Sequence, residues 1–429
     1  MPIIILIMAS SRKVFSLEGK GLKLDTAADL EPHIAELRST DVEEVKFLGN
    51  TLGVGACKLL GEVLATKNNL QSADLSDIFT GRLLSEIPEA LTSLLTSILN
   101  LPKLTTINLN DNAFGINTQA PVVAFLAAHV PLQHLYLNNN GLGPHAGILV
   151  ANALSELHAK KEEARKEGRE VPYLETVICG RNRLENGSMQ AWAKAFSLHN
   201  KIKEIKMVQN GIRQEGISHL ISEGLNHATE LRILDLQDNT FTVSGAKAVA
   251  SVLPTWTHLQ ELGLNDAYLT AKGTALVAKA LAKGKQDKLE ILRLAFNDIT
   301  PKALTGIASA VSDSLPALKK VELNGNKFEE EDPSVIAIRE QLEERKEKIG
   351  GDVVDEDAWG LDSLSDLEGE DSDEEEEEES EEEEEEELEP SKRAEILIKE
   401  AEEAQEEPTV QLNNKEVDDL AKKLGKTEI

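Results

Sequence analysis

Few side chains in this sequence are placed to do chemistry, and they amount to one arginine and one recurring polar position. Arg82 closes the string Ser76-Asp-Ile-Phe-Thr-Gly-Arg82. The recurring position holds Asp77, Asp111, Asn139, Arg181, Gln209, Asp238 and Asp266 in turn, each the residue before a repeating anchor. Any one of them reads equally well as a solvated rim residue. As a continuous, mostly acidic edge they read as a docking surface for a basic partner. Arg82 also has two readings: a functional residue at a break in the pattern, or the ion-pair partner of Asp77 or Asp111. The enzyme signatures GxxxxGK[ST], HExxH, GxSxG and paired cysteines do not occur. The nine histidines are scattered and read as surface residues, and no metal site is indicated. Cys57 and Cys179 read as free buried thiols, which fit a reducing compartment.

The anchors belong to the pattern Leu-x-x-Leu-x-Leu-x-x-Asn, plain at Leu104-Thr-Thr-Ile107-Asn-Leu109-Asn-Asp-Asn112. It recurs with anchors Asn50, Asn140, Asn182, Asn210, Asn239, Asn297 and Asn326, while Ile78 and Ala267 replace the asparagine in two more copies. Phe15-Ser-Leu17 is a degenerate cap. Most anchors are 28 to 30 residues apart; a 42-residue gap holds a charged stretch, 158–170, read as a surface insert. Each copy reads as a strand and then a helix. In Leu135-Tyr136-Leu137 the leucines face inward and the tyrosine outward, and Ala146, Val150, Ala153, Leu154 and Leu157 form an apolar helical stripe. Ser244 reads as a helix N-cap. One such unit cannot bury its apolar face, but stacked units can. The expected fold is an α/β leucine-rich-repeat solenoid, a ribonuclease-inhibitor-like crescent with a parallel sheet inside and helices outside. The anchor asparagines read as structural, bonding backbone where each strand turns. Stacking places Arg82 and Asn139 on one rim two strands apart, roughly 10 Å.

Aromatics are only 3% of the 429 residues, so the core must be built mainly from Leu, Ile, Val and Ala. Residues 352–389 hold 7 Asp and 17 Glu and no Lys or Arg, so 24 of the 31 net negative charges lie there. Such a field repels nucleic acid and anionic membrane, and no apolar run is long enough to span a bilayer. The domain reading is a flexible start at 1–11, repeats with caps at 12–349, a disordered acidic region at 350–390, and a tail at 391–429 with short helices. The start MPIIILIMAS lacks a basic segment and makes a poor signal peptide, and Met8 is an alternative initiator. Cytoplasm is the expected compartment.

Four strings carry a family resemblance: Ser76-Asp-Ile-Phe-Thr-Gly-Arg82, Leu135-Tyr-Leu-Asn-Asn-Asn-Gly-Leu-Gly-Pro144, Ile178-Cys-Gly-Arg-Asn-Arg-Leu-Glu-Asn-Gly-Ser-Met189 and Leu234-Asp-Leu-Gln-Asp-Asn-Thr-Phe-Thr242. The sequence resembles the Ran GTPase-activating proteins in their short fungal form, over about residues 12 to 390. The structured, SUMO-modified C-terminal domain of larger animal relatives has no counterpart here. The resemblance implies stimulation of GTP hydrolysis on Ran in support of nucleocytoplasmic transport. The nucleotide and its magnesium would be held by the partner, and the chain would need no cofactor of its own. It implies docking on Ran's switch regions so that Ran's own glutamine is placed. On this resemblance Asn139 matches the residue nearest that glutamine, and Arg82 matches the family's essential arginine, supporting the docking surface. Expected partners are Ran in its GTP form and a Ran-binding protein in a ternary complex, with the chain itself a monomer. The rival reading is a non-catalytic acidic leucine-rich-repeat binder or chaperone for histones or other basic proteins. Repeats of 28 to 30 residues and the Ser76–Arg82 string argue against it.

Overall fold

The computed structural model describes residues 12–115, 119–349 and 358–368. The expected flexible start at 1–11, the acidic run from 369 and the short helices beyond 391 lie outside the described residues. The chain divides into two units, 1–370 and 371–429, and only the first contains described residues.

The strands in chain order are β1 (Val14–Ser16), β2 (Lys23–Leu24), β3 (Glu44–Lys46), β4 (Thr51–Leu52), β5 (Ser72–Asp74), β6 (Thr106–Asn108), β7 (His134–Tyr136), β8 (Thr176–Ile178), β9 (Glu204–Lys206), β10 (Ile233–Asp235), β11 (Glu261–Gly263), β12 (Ile291–Arg293), β13 (Lys320–Glu322) and β14 (Gly360–Leu361). All but β2 and β4 form one parallel twelve-stranded sheet in sequence order; those two pair with each other. The period-2 alternation fixes which face is buried. Leu135 aligns with Ile107 on one side and Val177 on the other, and all three are fully buried. Helices such as Gly143–Lys166 and Thr242–Val252 connect successive strands and turn their apolar stripes onto the same core.

The anchor asparagines form a buried ladder. Asn140 Nδ2 donates to the carbonyls of Leu109 and Leu137, both at 3.0 Å, and its Oδ1 accepts the Asn112 N–H at 3.0 Å. The same exchange joins Asn140 to Asn182 and Asn182 to Asn210, each at 2.9 Å. Each amide thus satisfies backbone groups that a buried turn would leave without water. Where Ile78 and Ala267 interrupt the series, their N–H groups still donate to Asn112 Oδ1 and Asn297 Oδ1, at 3.0 and 3.1 Å.

Several local expectations change. Ser244 lies inside the helix Thr242–Val252 and does not cap it. The charged stretch after His158 extends the helix Gly143–Lys166, and it is not all surface. Lys161 is 1% exposed and donates to the carbonyls of Val130, Leu132 and Pro172 at 2.7 to 2.8 Å. Burial lowers its pKa to about 7. His129 and His199 are buried against backbone carbonyls, so the histidines are not all on the surface. Cys57 and Cys179 are free and buried, and burial pushes both thiols up to about 12, which leaves them protonated and inert. Residues 358–368 fall inside the stretch read as disordered, yet they fold back. Strand β14 pairs with β13, Asp362 accepts the N–H groups of Leu323 and Asn324 at 2.8 and 3.1 Å, and Leu361, Leu364 and Leu367 pack on the core.

Candidate docking rim

At the C-terminal end of each strand the backbone turns into the left-handed region. The residue before every anchor has positive φ: Gly49, Asp77, Asp111, Asn139, Arg181, Gln209, Asp238, Asp266, Phe296 and Gly325, all between 44° and 75°. Stacking then ties these turns together. The N–H of Asp111 donates to Asn138 O at 2.9 Å, that of Asn139 to Gly180 O at 2.9 Å, and that of Arg181 to Val208 O at 2.8 Å. Gln209, Asp238 and Asp266 continue the series with Gln237 O, Asn265 O and Ala295 O, at 2.8 to 3.0 Å. The structure therefore brings all seven expected docking residues of this position onto one edge. Asp111, Asn139, Arg181, Gln209 and Asp266 are exposed there, and Asp77 and Asp238 are half-buried.

The left-handed turn also supplies a reason for the residue types. Asn, Asp and Gly tolerate that conformation best, so part of the acidic and amide bias belongs to the backbone. Charge is a separate matter. On the sheet face, the ions pair among themselves: Arg293 bridges Glu261 and Glu322, and Lys206 reaches Glu261. Among the described residues, Asp77, Asp111, Asp238 and Asp266 take part in no ion pair. Partial burial, and then the neighbouring Asp266, hold the Asp238 carboxyl above its usual range, which Gln209 beside it partly offsets. An open recess of about 380 Å³ lies there, lined by Arg183, Gln209, Asp238, Asp266 and Tyr268 among others.

Asn139 presents an exposed amide on the edge. Its Nδ2 donates to Asp111 Oδ1 at 2.9 Å, which fixes the amide's orientation. Its Oδ1 has no hydrogen-bond partner among the described residues, so the group is poised to accept an N–H from outside.

Arg82 lies two strands from Asn139 in sheet order but points the other way. Its Nε donates to Thr51 Oγ1 and its Nη2 to Thr51 O, both at 2.8 Å, and its Nη1 pairs with the Asp25 carboxylate. The expected pairing with Asp77 or Asp111 is not formed; Asp77 instead accepts from Thr80. The reason is positional. The loop after Ile78 runs back beside β4, where Thr51 lies, and the side chain is only 7% exposed. The ion pair holds the Asp25 carboxyl below the ordinary range. Sequence reasoning missed Asp25 and Thr51. It also missed Leu83 and Leu84, which stand 67% and 62% exposed just beyond Arg82.

Among the described residues no group of three or more His, Cys, Asp or Glu is placed to hold a metal, and no helix is long and apolar enough to cross a membrane. A stacked parallel sheet with one polar, left-handed edge defines a leucine-rich-repeat protein. A family model described as Leucine Rich repeat matches residues 227–250 and 287–308. The Ran GTPase-activating protein 1 of Saccharomyces cerevisiae is 37% identical over 341 residues, covering 77% of this chain and 83% of that protein. The Ran GTPase-activating protein of Drosophila melanogaster is 32% identical over 320 residues, covering 74% of this chain and 52% of its own length. Ran GTPase-activating protein 1 of Xenopus laevis is 42% identical over 201 residues, covering 46% of this chain and 34% of its own length. The chain therefore spans about half of the fly protein and a third of the frog one. Among solved structures, an internalin from Listeria monocytogenes aligns over 81% of this chain and 77% of its own at a TM-score of 0.43 and 12% identity. The chain belongs to the Ran GTPase-activating protein family.

Proposed function

We propose that this protein stimulates GTP hydrolysis by Ran, acting on the partner's active site and bringing no cofactor of its own. Ran in its GTP form docks on the rim through its switch regions. Asp77, Asp111, Asp238 and Asp266 meet basic side chains of Ran, and Arg181 and Gln209 add polar contacts between them. GTP and magnesium stay with Ran. In the reaction a water attacks the γ-phosphorus, the bond to the β-phosphate bridge breaks, and GDP and phosphate leave. What the free GTPase lacks is order in its own glutamine. The Asn139 amide has its N–H turned to Asp111, so its oxygen accepts from that glutamine and holds it against the water. Arg82 supports the surface from behind. The chain works as a monomer in the cytoplasm, in nucleocytoplasmic transport, and a Ran-binding protein can join the complex.

The observation that carries this reading is the oriented Asn139 amide, in a chain whose family is named for this activity. The test is phosphate release from Ran-GTP with the protein at about one-hundredth of the Ran concentration. Stimulation through many turnovers is expected, by several orders of magnitude, as for other GTPase activators. Release at the rate of Ran alone would overturn the reading.

A further inference from the structure

Two aromatic rings stand on the rim in a backbone conformation that does not suit them. Tyr268 is 58% and Phe296 50% exposed, and each has a left-handed φ of 55°. A bulky side chain is an outlier there, whereas Asn, Asp or Gly would sit without strain. Each position therefore combines strain with exposed apolar surface, and neither helps the fold. Local rules broken in this way point to a site of function.

Phe296 follows β12 and continues the column of Asp238 and Asp266, its N–H donating to Asn324 O at 2.8 Å. Its ring is seated over Gly325, where an added Cβ would come within 2.1 Å of Phe296 Cδ1. Tyr268 lines the recess of about 380 Å³ together with Arg183, Gly211, Asp238 and Asp266. Strand spacing puts β11 and β12 about 19 and 24 Å along the stack from β7, which leads to Asn139. A domain of about 170 residues is about 40 Å across, so a single partner seated over Asn139 reaches both rings.

We propose that Tyr268 and Phe296 form an aromatic anchor for Ran at the far end of the rim. One lysine or arginine of Ran lies along the Tyr268 ring, with its charged head in the recess toward Asp238 and Asp266. The proposal rests on the reading of the chain as an activator of Ran, and it assigns affinity and catalysis to different parts of the edge. An aromatic face attracts a cation and covers its apolar stem. Aromatic anchors ringed by polar groups carry much of the affinity of protein interfaces. Asn139 keeps the chemistry, and the anchor holds the partner there.

Phe296→Asn and Tyr268→Asn each replace a ring by a residue suited to the left-handed turn. Both variants are expected to melt at or above the parent's temperature. Both should nonetheless raise Kd for Ran loaded with a non-hydrolysable GTP analogue by about tenfold, with KM rising alike and kcat within about twofold. The loss in Phe296→Asn should persist at about 300 mM salt, because apolar contact is not screened. Tyr268→Phe, which keeps the ring, should bind as the parent does. So should Ile336→Ala, which removes an exposed apolar side chain from the last helix, Pro333–Ile349. Parental Kd in both Asn variants overturns the proposal, as does a lowered melting temperature in both, which would give the rings a structural purpose. A fall in kcat at parental Kd overturns it too, as does Tyr268→Phe or Ile336→Ala binding as weakly as Tyr268→Asn. In each of these cases stimulation by the parent chain leaves the activator reading standing. A parent chain that neither binds nor stimulates Ran removes that reading, and the anchor with it.

Discussion

A single backbone angle shapes the chemistry of the rim. Because every pre-anchor residue is left-handed, the position selects small amides and acids before any partner does, and Arg181, Gln209 and Phe296 are the residues that depart from that preference. Reading the column as surface composition alone hid this, since φ leaves no mark in a sequence of mixed polar types. The anchors were legible because they repeat at constant spacing, and the ladder bears out their structural reading. Asp235 offers a check on electrostatics away from the rim. It is 5% exposed, accepts from the Gln237 amide at 2.9 Å, and burial raises its pKa. A carboxyl raised on folding binds its proton more tightly in the native state. Its stabilising effect is full below the unfolded value of about 3.9 and is lost as pH climbs through the raised folded value. Asp235→Asn is therefore expected to raise the melting temperature at pH 7 by about 2 °C, and the gain should vanish near pH 3.5. A gain that persists at low pH would mean that packing, not charge, is responsible.

Among the elements, β14 changes the boundary of the folded unit most. Its two residues extend the sheet beyond β13, and Asp362 takes the N–H groups of Leu323 and Asn324 that an edge strand would leave to water. The sequence there is Gly360-Leu-Asp-Ser-Leu-Ser-Asp-Leu367, whose three leucines are outweighed by the surrounding acid, so composition masked a cap. A chain ending at residue 349 should be less stable than one ending at 370, by about 2–4 kcal/mol for the lost leucine packing and strand bonds. Denaturant unfolding of the two truncations measures this. Equal midpoints would show that the cap adds no stability. The partners of Arg82 were illegible for a related reason: Asp25 is 57 residues away, in a degenerate cap whose register the repeat pattern does not fix.

Across the whole molecule, negative charge is of two kinds. Rim acids are held by stacked turns, whereas most of the acidic run, including Glu374–Glu379 and Glu381–Glu387, lies outside the described residues. On the proposed function, the rim acids meet basic side chains of the partner and the charge of the acidic run chiefly speeds encounter. Removing residues 371–429 is expected to lower the association rate with Ran-GTP several-fold at about 20 mM salt, and hardly at all at about 300 mM, where screening is short-ranged. Stopped-flow binding at the two ionic strengths reads this directly, and a rate independent of salt in the full chain would remove the steering role. The repeat count, the parallel sheet and the shared edge of Asp77 through Asp266 were legible because each follows from period. Orientation of individual side chains on that edge was not, because period sets where a residue sits and neighbours set where it points.

On the proposed function, one exposed amide, Asn139, aimed by Asp111, completes the partner's active site. Multiple-turnover phosphate release from Ran-GTP, comparing the parent chain with Asn139→Ala, tests it most directly. The account predicts that kcat falls by about 10²-fold, the scale of losing one oriented group at a reacting centre, with KM within a few-fold and an unaltered far-UV spectrum. An Asn139→Ala protein that stimulates hydrolysis at the parent's kcat would contradict it.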